Sequence, residues 1–500
     1  MDWRIVPLTR GVSLVLVDAP GLGEVEHARA SAELARRLAT ELGEGRVVAG
    51  GTSVLVEAVE RDALAALLGR VSADAADAGP TATREHVIDV DYDGADLASA
   101  ATRLGLGEAE LVARHAAPRY EVLVAGFLPG FAYLGPLDPS LELPRLPSPR
   151  RRVPAGSVAI AGRLTGVYPF VSPGGWNLIG HAPKAQLFDA AREPPRLFRI
   201  GDGVRFAPRD PSNASIDAHA TPDEPRCARS ALRVVRAAPA TTIQDLGRPL
   251  RRGEGLPSGG ALDRATLRAA NVAVGNPESA AAIEIPLGSF ELEALAPLTA
   301  SIDGARALRV GVGDRILVPP ERRAVRYLAV RGGIDVPLVL GAASTLLVAG
   351  FGGLRGRALR AGDELALGER VDGEPLASAL AVAPPSPALG LEVLPWAPDP
   401  RLDDDALGRL LAGAWQVGAR DRVGTRLEGA PLVRRGGDRA LPEPVLPGAI
   451  QVTGDGSLVV LGPDAAVTGG YPVVALVDEA SRDALARAPA GTELRFSLAP

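Results

Sequence analysis

The polar residues best suited to chemistry in this 500-residue chain lie in glycine-rich turns of its second half. Residues 241–263 read TTIQDLGRPLRRGEGLPSGGALD, in which Gln244, Asp245 and Arg248 flank one glycine and Ser258 precedes two more. Such a loop can present backbone N–H groups and an arginine to a carboxylate or a phosphate. The alternative is a solvated connector that contains an internal pair between Asp245 and Arg248.

Three residues are candidates for proton transfer. Glu284 stands in the apolar run Ala282–Ile285, and a carboxyl that faces inward there needs a partner or a raised pKa. Asp245 is the acid of the glycine-rich loop. His115 ends a predicted helix, where capping by an imidazolium explains its position as well as catalysis does. Asp263 precedes another predicted helix and can equally favour its first turn.

The first half holds the densest run of glycine, proline and aromatic residues, at positions 126–183. Its glycines bracket Phe127, Phe131 and Tyr133, and rigid loops that hold aromatic side chains are useful for a binding site. The alternative is a packed connector in a β-barrel. The basic cluster at 150–152 suits an anionic substrate, although a solvated charge run is the commoner explanation.

The composition excludes several classes of function. A net charge of −6 gives no reason to expect nucleic acid, and the single cysteine, Cys227, excludes disulfides and a cysteine-ligated metal cluster. The five histidines have no metal-ligand spacing, so we expect no metal site. No apolar run reaches ~18 residues and no apolar signal segment follows Met1, so we expect a cytoplasmic protein without membrane contact.

Common catalytic signatures are missing from the sequence. It contains no G-x-x-x-x-G-K-[ST] phosphate loop, no G-x-S-x-G elbow and no H-E-x-x-H motif. No lysine stands in a biotin-attachment context, so we expect no covalent biotin on this chain.

Hydrophobic periodicity predicts alternating strands and helices at the N-terminus and mostly strands afterwards. Helices are predicted at 26–43, 60–70, 94–103, 107–115, 261–274 and 402–413. The pair at 94–115, split by a Gly-Leu-Gly turn, is an αα-hairpin rather than a DNA-binding motif, because the chain is acidic. Strands are predicted around 4–17, 47–58, 86–92, 120–124, 157–161, 167–171, 176–180, 202–206, 232–235 and 445–500.

An internal repeat indicates duplicated domains. Val153–Ile160 resembles Val445–Val452, and Gly174–Trp176 is answered by Gly469–Tyr471 at a similar distance downstream. Repeats of this size favour duplicated β-barrel-like domains. Two stretches poor in large apolar side chains, 207–230 and, more weakly, 371–390, are predicted to be linkers.

Long ordered motifs resemble two partner families. GFLPGFAYLG, PRRRVPAGSVAIAG and YPFVSPGGWNLIG are similar to the allophanate hydrolase subunit 1 family, also called the KipI family. TTIQDLGRP, PSGGALDRATLRAANVAVGNPESAAAIEI and TGGYPVVALV are similar to the allophanate hydrolase subunit 2 family, or KipA. The resemblance covers most of residues 4–206 and 232–497, so the chain is expected to be a fusion of the two subunits.

The resemblance implies a mainly β fold with α+β parts, in which duplicated cyclophilin-like β-barrel domains follow a small α+β N-terminal domain. The expected domains are an α+β domain at 1–80, a cyclophilin-like domain at 81–208, a linker at 209–230, a first domain of the subunit 2-like half at 231–375 and a second cyclophilin-like domain at 376–500.

The resemblance implies three possible activities. The first is the fused B/C component of an ATP-dependent 5-oxoprolinase, a hydrolase that opens 5-oxo-L-proline to L-glutamate together with a separate A subunit. It would use ATP, with Mg²⁺, shared with that partner. The second is a biotin-dependent carboxyltransferase module acting on urea or a related amide. The third is a non-catalytic regulator of a kinase, like the KipI–KipA pair.

The resemblance also carries site residues over to this sequence. Glu284 and Asp245 are among them as candidate catalytic residues, and His115, a candidate from its place at the end of a predicted helix, is the third. The candidate substrate- or nucleotide-binding residues are Phe127, Gly130, Phe131, Tyr133, Arg150, Arg152, Ser157, Gly174, Gly175, Trp176, Gln244, Arg248, Ser258, Asp263, Asn271, Arg331, Gly332, Gly333, Gly352, Arg422, Gly448, Thr468, Gly469, Gly470 and Tyr471.

Overall fold

The structure, a computed structural model, describes residues 2–73, 84–209, 230–369, 373–376, 378, 380, 382, 384–435 and 441–500. Nearly all of the predicted linker at 209–230, including Cys227, lies outside these residues, as do six residues of the one at 371–390. No helix in the described ranges is long and apolar enough to cross a membrane.

The N-terminal part is a four-stranded antiparallel sheet covered by two helices. Its elements are β1 (Asp2–Thr9), β2 (Val12–Asp18), α1 (Glu24–Leu42), β3 (Val47–Ala49), β4 (Ser53–Glu57) and α2 (Arg61–Ala73), and the sheet order is β1-β2-β4-β3. In α1, Leu34 and Leu38 recur at helical spacing and are buried against the sheet. The predicted β-α-β-α pattern therefore forms this sheet and its cover.

The next part is a seven-stranded sheet with an αα-hairpin. Its elements are β5 (Glu85–Val90), α3 (Leu97–Leu104), α4 (Glu108–Ala116), β6 (Tyr120–Ala125), β7 (Ala132–Gly135), β8 (Arg150–Val153), β9 (Ser157–Ala161), β10 (Leu164–Val167), β11 (Ser172–Gly174), β12 (Asn177–His181) and β13 (Gly203–Pro208). The order is β12-β9-β10-β7-β6-β13-β5, and an isolated bridge between Asp91 and His181 joins its two edges. Helix α3 ends at Gly105, whose φ of 68° lets the chain turn into α4.

The second half begins with two five-stranded sheets. The elements are β14 (Leu232–Arg236), β15 (Thr242–Gln244), α5 (Arg264–Ala273), β16 (Ala282–Pro286), β17 (Phe290–Ala294), β18 (Leu298–Ile302), β19 (Leu308–Val310), β20 (Arg315–Val318), β21 (Val325–Val330), β22 (Ile334–Asp335) and β23 (Glu364–Leu367). The sheet orders are β20-β17-β14-β23-β22 and β15-β16-β21-β18-β19, with a shared core between them.

The chain ends in a closed barrel. Its elements are β24 (Ala388–Pro395), α6 (Ala406–Ala412), β25 (Trp415–Arg420), β26 (Gly424–Glu428), β27 (Glu443–Pro444), β28 (Ala449–Val452), β29 (Leu458–Leu461), β30 (Thr468–Gly469), β31 (Val473–Val477), α7 (Glu479–Arg487) and β32 (Glu493–Leu498). The strand order is β24-β31-β28-β29-β26-β25-β32.

The two barrels share one topology, which confirms the predicted duplication. In each, the first and last strands of the unit pair in parallel, β5 with β13 and β24 with β32, while the other strand pairs are antiparallel. The similar sequences at 153–160 and 445–452 form equivalent strands, β9 and β28. Each barrel also carries a matching two-stranded ribbon, β8-β11 in the first and β27-β30 in the second.

Three sequence expectations need correction. The stretch 445–500 contains a helix, α7, as well as strands. The strand expected at 167–171 lies earlier, as β10, because the chain turns at 168–171 before β11 begins. The weaker linker predicted at 371–390 overlaps the start of β24, which pairs with β32 from Ala388 onward.

The N-terminal sheet packs on the outside of the closing barrel. Leu14 and Leu55 from the sheet share one buried cluster with Val445, Val467 and other barrel residues. At its rim the Glu443 carboxylate accepts hydrogen bonds from Thr52 N at 2.9 Å and Ser53 Oγ at 2.6 Å. The two ends of the chain therefore form one interface, and a cleft lies beside it.

Candidate functional site

A cleft of about 400 Å³ lies where the first half, the turn at 258–264 and the closing barrel meet. The hairpin at 9–12 and Glu57 border it from the first half, and α7 borders it from the barrel. The walls are mainly aliphatic, with several charged side chains between them. A concave, largely apolar site with a few polar groups is the usual form of a small-molecule site.

Beneath the 258–264 turn lies a buried cluster centred on Arg422. Its guanidinium donates two hydrogen bonds to Asp464, at 2.7 and 2.9 Å, and one to the Gly260 carbonyl at 2.7 Å. It also donates to the carboxylate of Glu284. Burial alone would lower the pKa of Arg422, but Asp464 and Glu284 outweigh that effect and raise it. The barrel residue Arg422 thus holds carboxylates from two parts of the chain.

Glu284 is fully buried, and both of its carboxylate oxygens have partners. One accepts from Arg422, and the other accepts from the Tyr327 hydroxyl at 2.7 Å and from Leu262 N at 2.8 Å. Burial, followed by the charge of Glu284, raises the pKa of Tyr327 well above its ordinary value. The inward orientation considered from the sequence is confirmed, and Glu284 fixes the turn behind the cleft.

Asp263 caps helix α5 and connects it to α7. Its carboxylate accepts from Thr266 N at 3.0 Å, which is the N-cap geometry, and from Arg487 Nη1 at 2.8 Å. Its own N–H donates to the Tyr327 hydroxyl at 2.9 Å. The capping alternative for Asp263 is therefore confirmed, and the residue also joins the cluster around Glu284.

Asp483 lies on α7 and borders the cleft. Its two oxygens accept from Arg264 N at 3.0 Å and Ala265 N at 3.1 Å, the first amides of α5. Burial, and then the nearby charge of Asp263, raise the pKa of Asp483 to about 6. A carboxyl of this kind can hold or release a proton near neutral pH.

The turn at 258–264 uses its backbone donors on protein acceptors. The Gly259 amide donates to the Pro463 carbonyl at 3.0 Å and the Ala261 amide to the Asp245 carbonyl at 2.9 Å. The amides of residues 262 to 264 bind Glu284, Tyr327 and Asp483. The expectation that this loop offers these N–H groups to an anion is therefore wrong for the structure as it stands.

Asp245 and Arg248 serve the same loop. The Asp245 carboxylate accepts from Gly247 N at 2.8 Å and Ala343 N at 2.7 Å. Arg248 donates to the Val339 carbonyl at 3.0 Å and lies over the Phe351 ring, 4.8 Å from its centroid. Burial lowers the pKa of Arg248 to about 10. Asp245 and Arg248 therefore bind different partners and do not form the solvated ion pair that the sequence allowed.

Several other predicted site residues of the second half shape turns. Gln244 donates to the Thr345 carbonyl at 3.1 Å and Asn271 to the Ala280 carbonyl at 2.7 Å, while Arg331 donates to the Val274 carbonyl at 3.0 Å. The glycines at 332, 333, 352, 353 and 448 have positive φ, so each of them allows a tight turn.

The loop around β30 holds the last candidates of the second half. Thr468 donates to the Ala125 carbonyl at 3.2 Å, and the Gly470 carbonyl accepts from Arg401. Gly469 lies between these residues, and Tyr471 is partly exposed.

His115 is fully buried in the first barrel, and burial lowers its pKa to about 3. Thr165 Oγ1 donates to the Ala159 carbonyl at 3.1 Å, so the Nε2–H of His115 must donate to Thr165 at 2.8 Å. Nδ1 then accepts from the Tyr92 hydroxyl at 2.7 Å. The neutral ring contradicts the predicted imidazolium cap. His115 is also enclosed in the first barrel and does not border the cleft, which argues against a catalytic role there.

The aromatic loop of the first half is packed. Phe131, Tyr133 and Trp176 are buried and contact one another edge to face, with centroids 5.0 to 5.8 Å apart. Phe127 packs on the same cluster, and Gly130 turns beside it with a φ of 81°. Such rings stabilise a core. The packed-connector alternative accounts for these contacts, and a binding role for this loop remains a prediction.

The remaining candidates of the first half lie on the β8-β11 ribbon and on β9. Arg150 donates to Asp96 at 2.6 Å, whereas Arg152 is exposed to solvent. Ser157 is buried in β9, and Gly174 and Gly175 lie partly exposed at the end of the ribbon. None of these residues is among the described residues that border the cleft.

Four predicted site residues lie at or behind the cleft: Glu284, Arg422, Asp263 and Ser258. Five further residues lie there that the sequence did not indicate, namely Asp464, Tyr327, Asp483, Arg487 and Glu57. Asp464 follows a Gly-Pro turn after β29, which is a signal that could have drawn attention to it. The others stand within regular strands or helices, where a single polar residue has no distinctive pattern.

Two family models and a solved structure match this chain over most of its length. The family model of the carboxyltransferase domain, subdomain C and D, matches residues 5–198, and that of subdomain A and B matches residues 254–498. The solved structure of TTHA0988 has 33% sequence identity and a TM-score of 0.83, and it covers 97% of this chain and 99% of that one.

Curated relatives match each half separately. The C subunit of 5-oxoprolinase from Escherichia coli K12 is 36% identical over 293 residues, which are 53% of this chain and 90% of that protein. The B subunit of 5-oxoprolinase from Escherichia coli O157:H7 is 53% identical over 116 residues, 23% of this chain and 53% of that protein. Urea amidolyase of Lachancea kluyveri is a more distant relative, 28% identical over 305 residues, 51% of this chain and 16% of that protein. The chain therefore belongs to the carboxyltransferase-domain family, with a subdomain C and D region and a subdomain A and B region joined in one polypeptide.

Proposed function

We propose that the chain is the fused B/C component of a 5-oxoprolinase, which opens 5-oxo-L-proline to L-glutamate with a separate A subunit and ATP. The observation that carries this proposal is the order of its parts. A B-like half and a C-like half follow one another in a single chain, each similar to a curated 5-oxoprolinase component. A hydrolase of the C–N bond of a cyclic amide is the corresponding reaction class.

The position of the cleft supports a joint role for the two halves. Residues of the B-like half, such as Glu57, and residues of the C-like half, such as Asp483, border the same space. A volume of about 400 Å³ is ample for a five-membered lactam and lies within the usual range for small-molecule sites. The aliphatic walls suit the ring, and the charged groups suit its amide and carboxylate.

We propose that ATP and Mg²⁺ bind to the A subunit, and no step on this chain depends on them. The glycine-rich turn at 258–264 supports this assignment, because its amides, which could otherwise hold a phosphate, already donate to protein acceptors.

The experiment is reconstitution from purified proteins. The full chain is mixed with the A-type subunit from the same genome, 5-oxo-L-proline, ATP and Mg²⁺, and glutamate and ADP are measured together. The proposal predicts equal amounts of glutamate and ADP, and no glutamate when either protein or ATP is left out. ADP formation without glutamate, by an A subunit that is active with its own B and C partners, contradicts it.

A second candidate is carboxyl transfer to urea or a related amide. The family description and the similarity of the C-like half to urea amidolyase favour it. In that case the full chain would consume carboxybiotin supplied on a separate carrier protein, in the presence of urea. Carboxybiotin loss that depends on urea, without glutamate formation from 5-oxoproline, would select this candidate over the first.

A further inference from the structure

Two largely shielded carboxyl groups border the cleft, one from each half of the chain. Glu57 ends strand β4 of the first half, and Asp483 lies on α7 of the closing barrel. Both border the cleft, and both are largely shielded from solvent, with a side-chain exposure of 14% for Glu57 and a residue exposure of 7% for Asp483.

Glu57 has only one charged neighbour within ion-pair distance among the described residues. Its Oε2 lies 3.6 Å from Arg252 Nε, which is too far for a hydrogen bond, and this oxygen has no hydrogen-bond partner. Arg252 donates through Nη2 to the Val445 carbonyl, while its buried Nε has no hydrogen-bond partner. Burial raises the pKa of Glu57 in spite of Arg252. An enclosed acceptor oxygen is thus left without a hydrogen-bond partner, on a side chain that borders the cleft.

Asp483 is held from three sides. The first amides of α5 donate to its oxygens, and Asp263 of the loop before α5 lies near enough for their charges to repel. Arg487 and Arg482 of its own helix also act on it electrostatically, but it forms no ion pair within 4 Å in the described part of the chain. Its geometry is therefore fixed, and the amides and arginines only partly offset the effects of burial and of Asp263 on its charge.

We propose that Glu57 and Asp483 form an acid–base pair across the cleft, so that the reacting site is assembled from both halves of the chain. This inference rests on the proposed function and deepens it, because it names the groups that contact the lactam. Glu284, which the sequence suggested for this role, is fully buried behind the turn, does not border the cleft and acts as a positioning residue.

The two carboxyl groups can carry out the two proton transfers that lactam opening requires. Water adds its oxygen to the carbonyl carbon while the C–N bond breaks. One carboxylate takes a proton from the attacking water, and the other carboxyl gives its proton to the departing nitrogen. ATP, cleaved on the A subunit, supplies the driving force in the proposed reaction. A carboxyl with a raised pKa is needed for the second transfer, since an ordinary one is ionised at neutral pH.

The first test does not depend on catalysis. The full wild-type chain is treated at pH 6 with a water-soluble carbodiimide and an amine, which couple to accessible protonated carboxyls, and the modified positions are mapped by mass spectrometry. We expect Glu57 and Asp483 to be modified at least tenfold faster than the enclosed Glu284. Modification of only one of them, or of neither, above the rate of Glu284 overturns the pair.

The second test uses the reconstituted reaction. We expect Glu57→Gln and Asp483→Asn each to lower kcat at least tenfold, to change KM less than threefold and to remove one limb of the pH profile. Glu60→Gln and Asp405→Asn, at exposed carboxyls, are the matched controls and should stay within twofold of wild type. An unchanged kcat and pH profile in either pair variant overturns the inference.

Failure of the wild-type chain to release glutamate would instead refute the proposed function. The labelling experiment then still decides whether the pair exists.

Discussion

At the scale of single residues, Arg422 is a buried arginine whose position depends on its charged partners. It is buried, and it forms ion pairs with both Glu284 and Asp464, which are also buried. A buried charge pair adds little stability compared with apolar residues, but removing one partner leaves the other charge uncompensated. The cluster is therefore sensitive to substitution although it makes no direct contact with the cleft.

We predict that Arg422→Met lowers the free energy of unfolding by about 3–5 kcal/mol, because two carboxylates lose their buried cation. Urea titration followed by tryptophan fluorescence measures the change. Arg435→Met, at an exposed arginine that pairs with Asp403 and Asp404, is the control and should leave the unfolding midpoint almost unchanged. A loss from Arg422→Met no larger than that of the control would contradict this account of the cluster.

The raised pKa of Asp483 predicts a pH dependence of stability. A carboxyl that binds its proton more tightly in the folded chain stabilises the fold below its ordinary pKa, and this contribution is lost as pH rises through about 6. Relative to Asp483→Asn, the free energy of unfolding of wild type should fall by about 2 kcal/mol between pH 4 and pH 7. Urea titrations of both proteins at several pH values test this. Parallel pH curves would show that the carboxyl is not perturbed.

At the scale of elements, the junction of α5 and α7 positions the turn that borders the cleft. Asp263 caps α5 and binds Arg487 of α7, while Asp483 of α7 binds the first amides of α5. Each helix thus supplies the group that completes the end of the other. The cleft wall is set by these mutual bonds rather than by apolar packing alone.

We predict that Asp263→Ala destabilises the chain by at least about 2 kcal/mol, since it removes an N-cap and leaves the partly buried Arg487 without its carboxylate. Asp405→Ala is a matched control, because Asp405 occupies the N-cap position of α6 without a side-chain cap bond. Its cost should stay below about 0.5 kcal/mol. Equal unfolding midpoints for the two variants in urea would refute the special role of Asp263.

Helix α7 shows why one element escaped prediction. Its buried residues are Ser481, Asp483 and Leu485, of which two are polar, so its sequence carries little apolar periodicity. The αα-hairpin of the first half, by contrast, buries Leu97, Leu111 and small alanines and was predicted correctly. Hydrophobic spacing reveals helices that face an apolar core, and α7 instead faces a polar junction.

At the scale of the whole molecule, the two halves are joined through contacts between residues far apart in the sequence. Gly126 of the first barrel accepts a hydrogen bond at its carbonyl from Val467 N at 2.9 Å, and Glu443 binds Thr52 and Ser53. The family resemblance and the repeat predicted two related barrels. They could not predict this docking, because no local pattern encodes a contact between residues hundreds of positions apart.

The close approach at Gly126 gives a test of that docking. A Cβ at Gly126 would lie 2.0 Å from Val467 Cγ2, so the docked residues must shift to accept Gly126→Ala, whereas a Cβ at Gly43 meets no atom within 4 Å. Gly43 is the matched control, because its φ of 92°, like the 119° of Gly126, is one that only glycine adopts readily. We expect Gly126→Ala to cost at least about 2 kcal/mol more than Gly43→Ala. Equal costs in thermal or urea unfolding would mean that this contact does not hold the halves together.

The central claim is that one chain does the work of two 5-oxoprolinase subunits. The most direct measurement is growth of a strain that lacks both its B and C subunits, with 5-oxoproline as the only nitrogen source, after it receives this chain together with the A subunit from the same genome. The account predicts growth with the wild-type chain and none without it. Failure to grow, when the chain is present in folded form and the separate B and C subunits restore growth in the same strain, would contradict it.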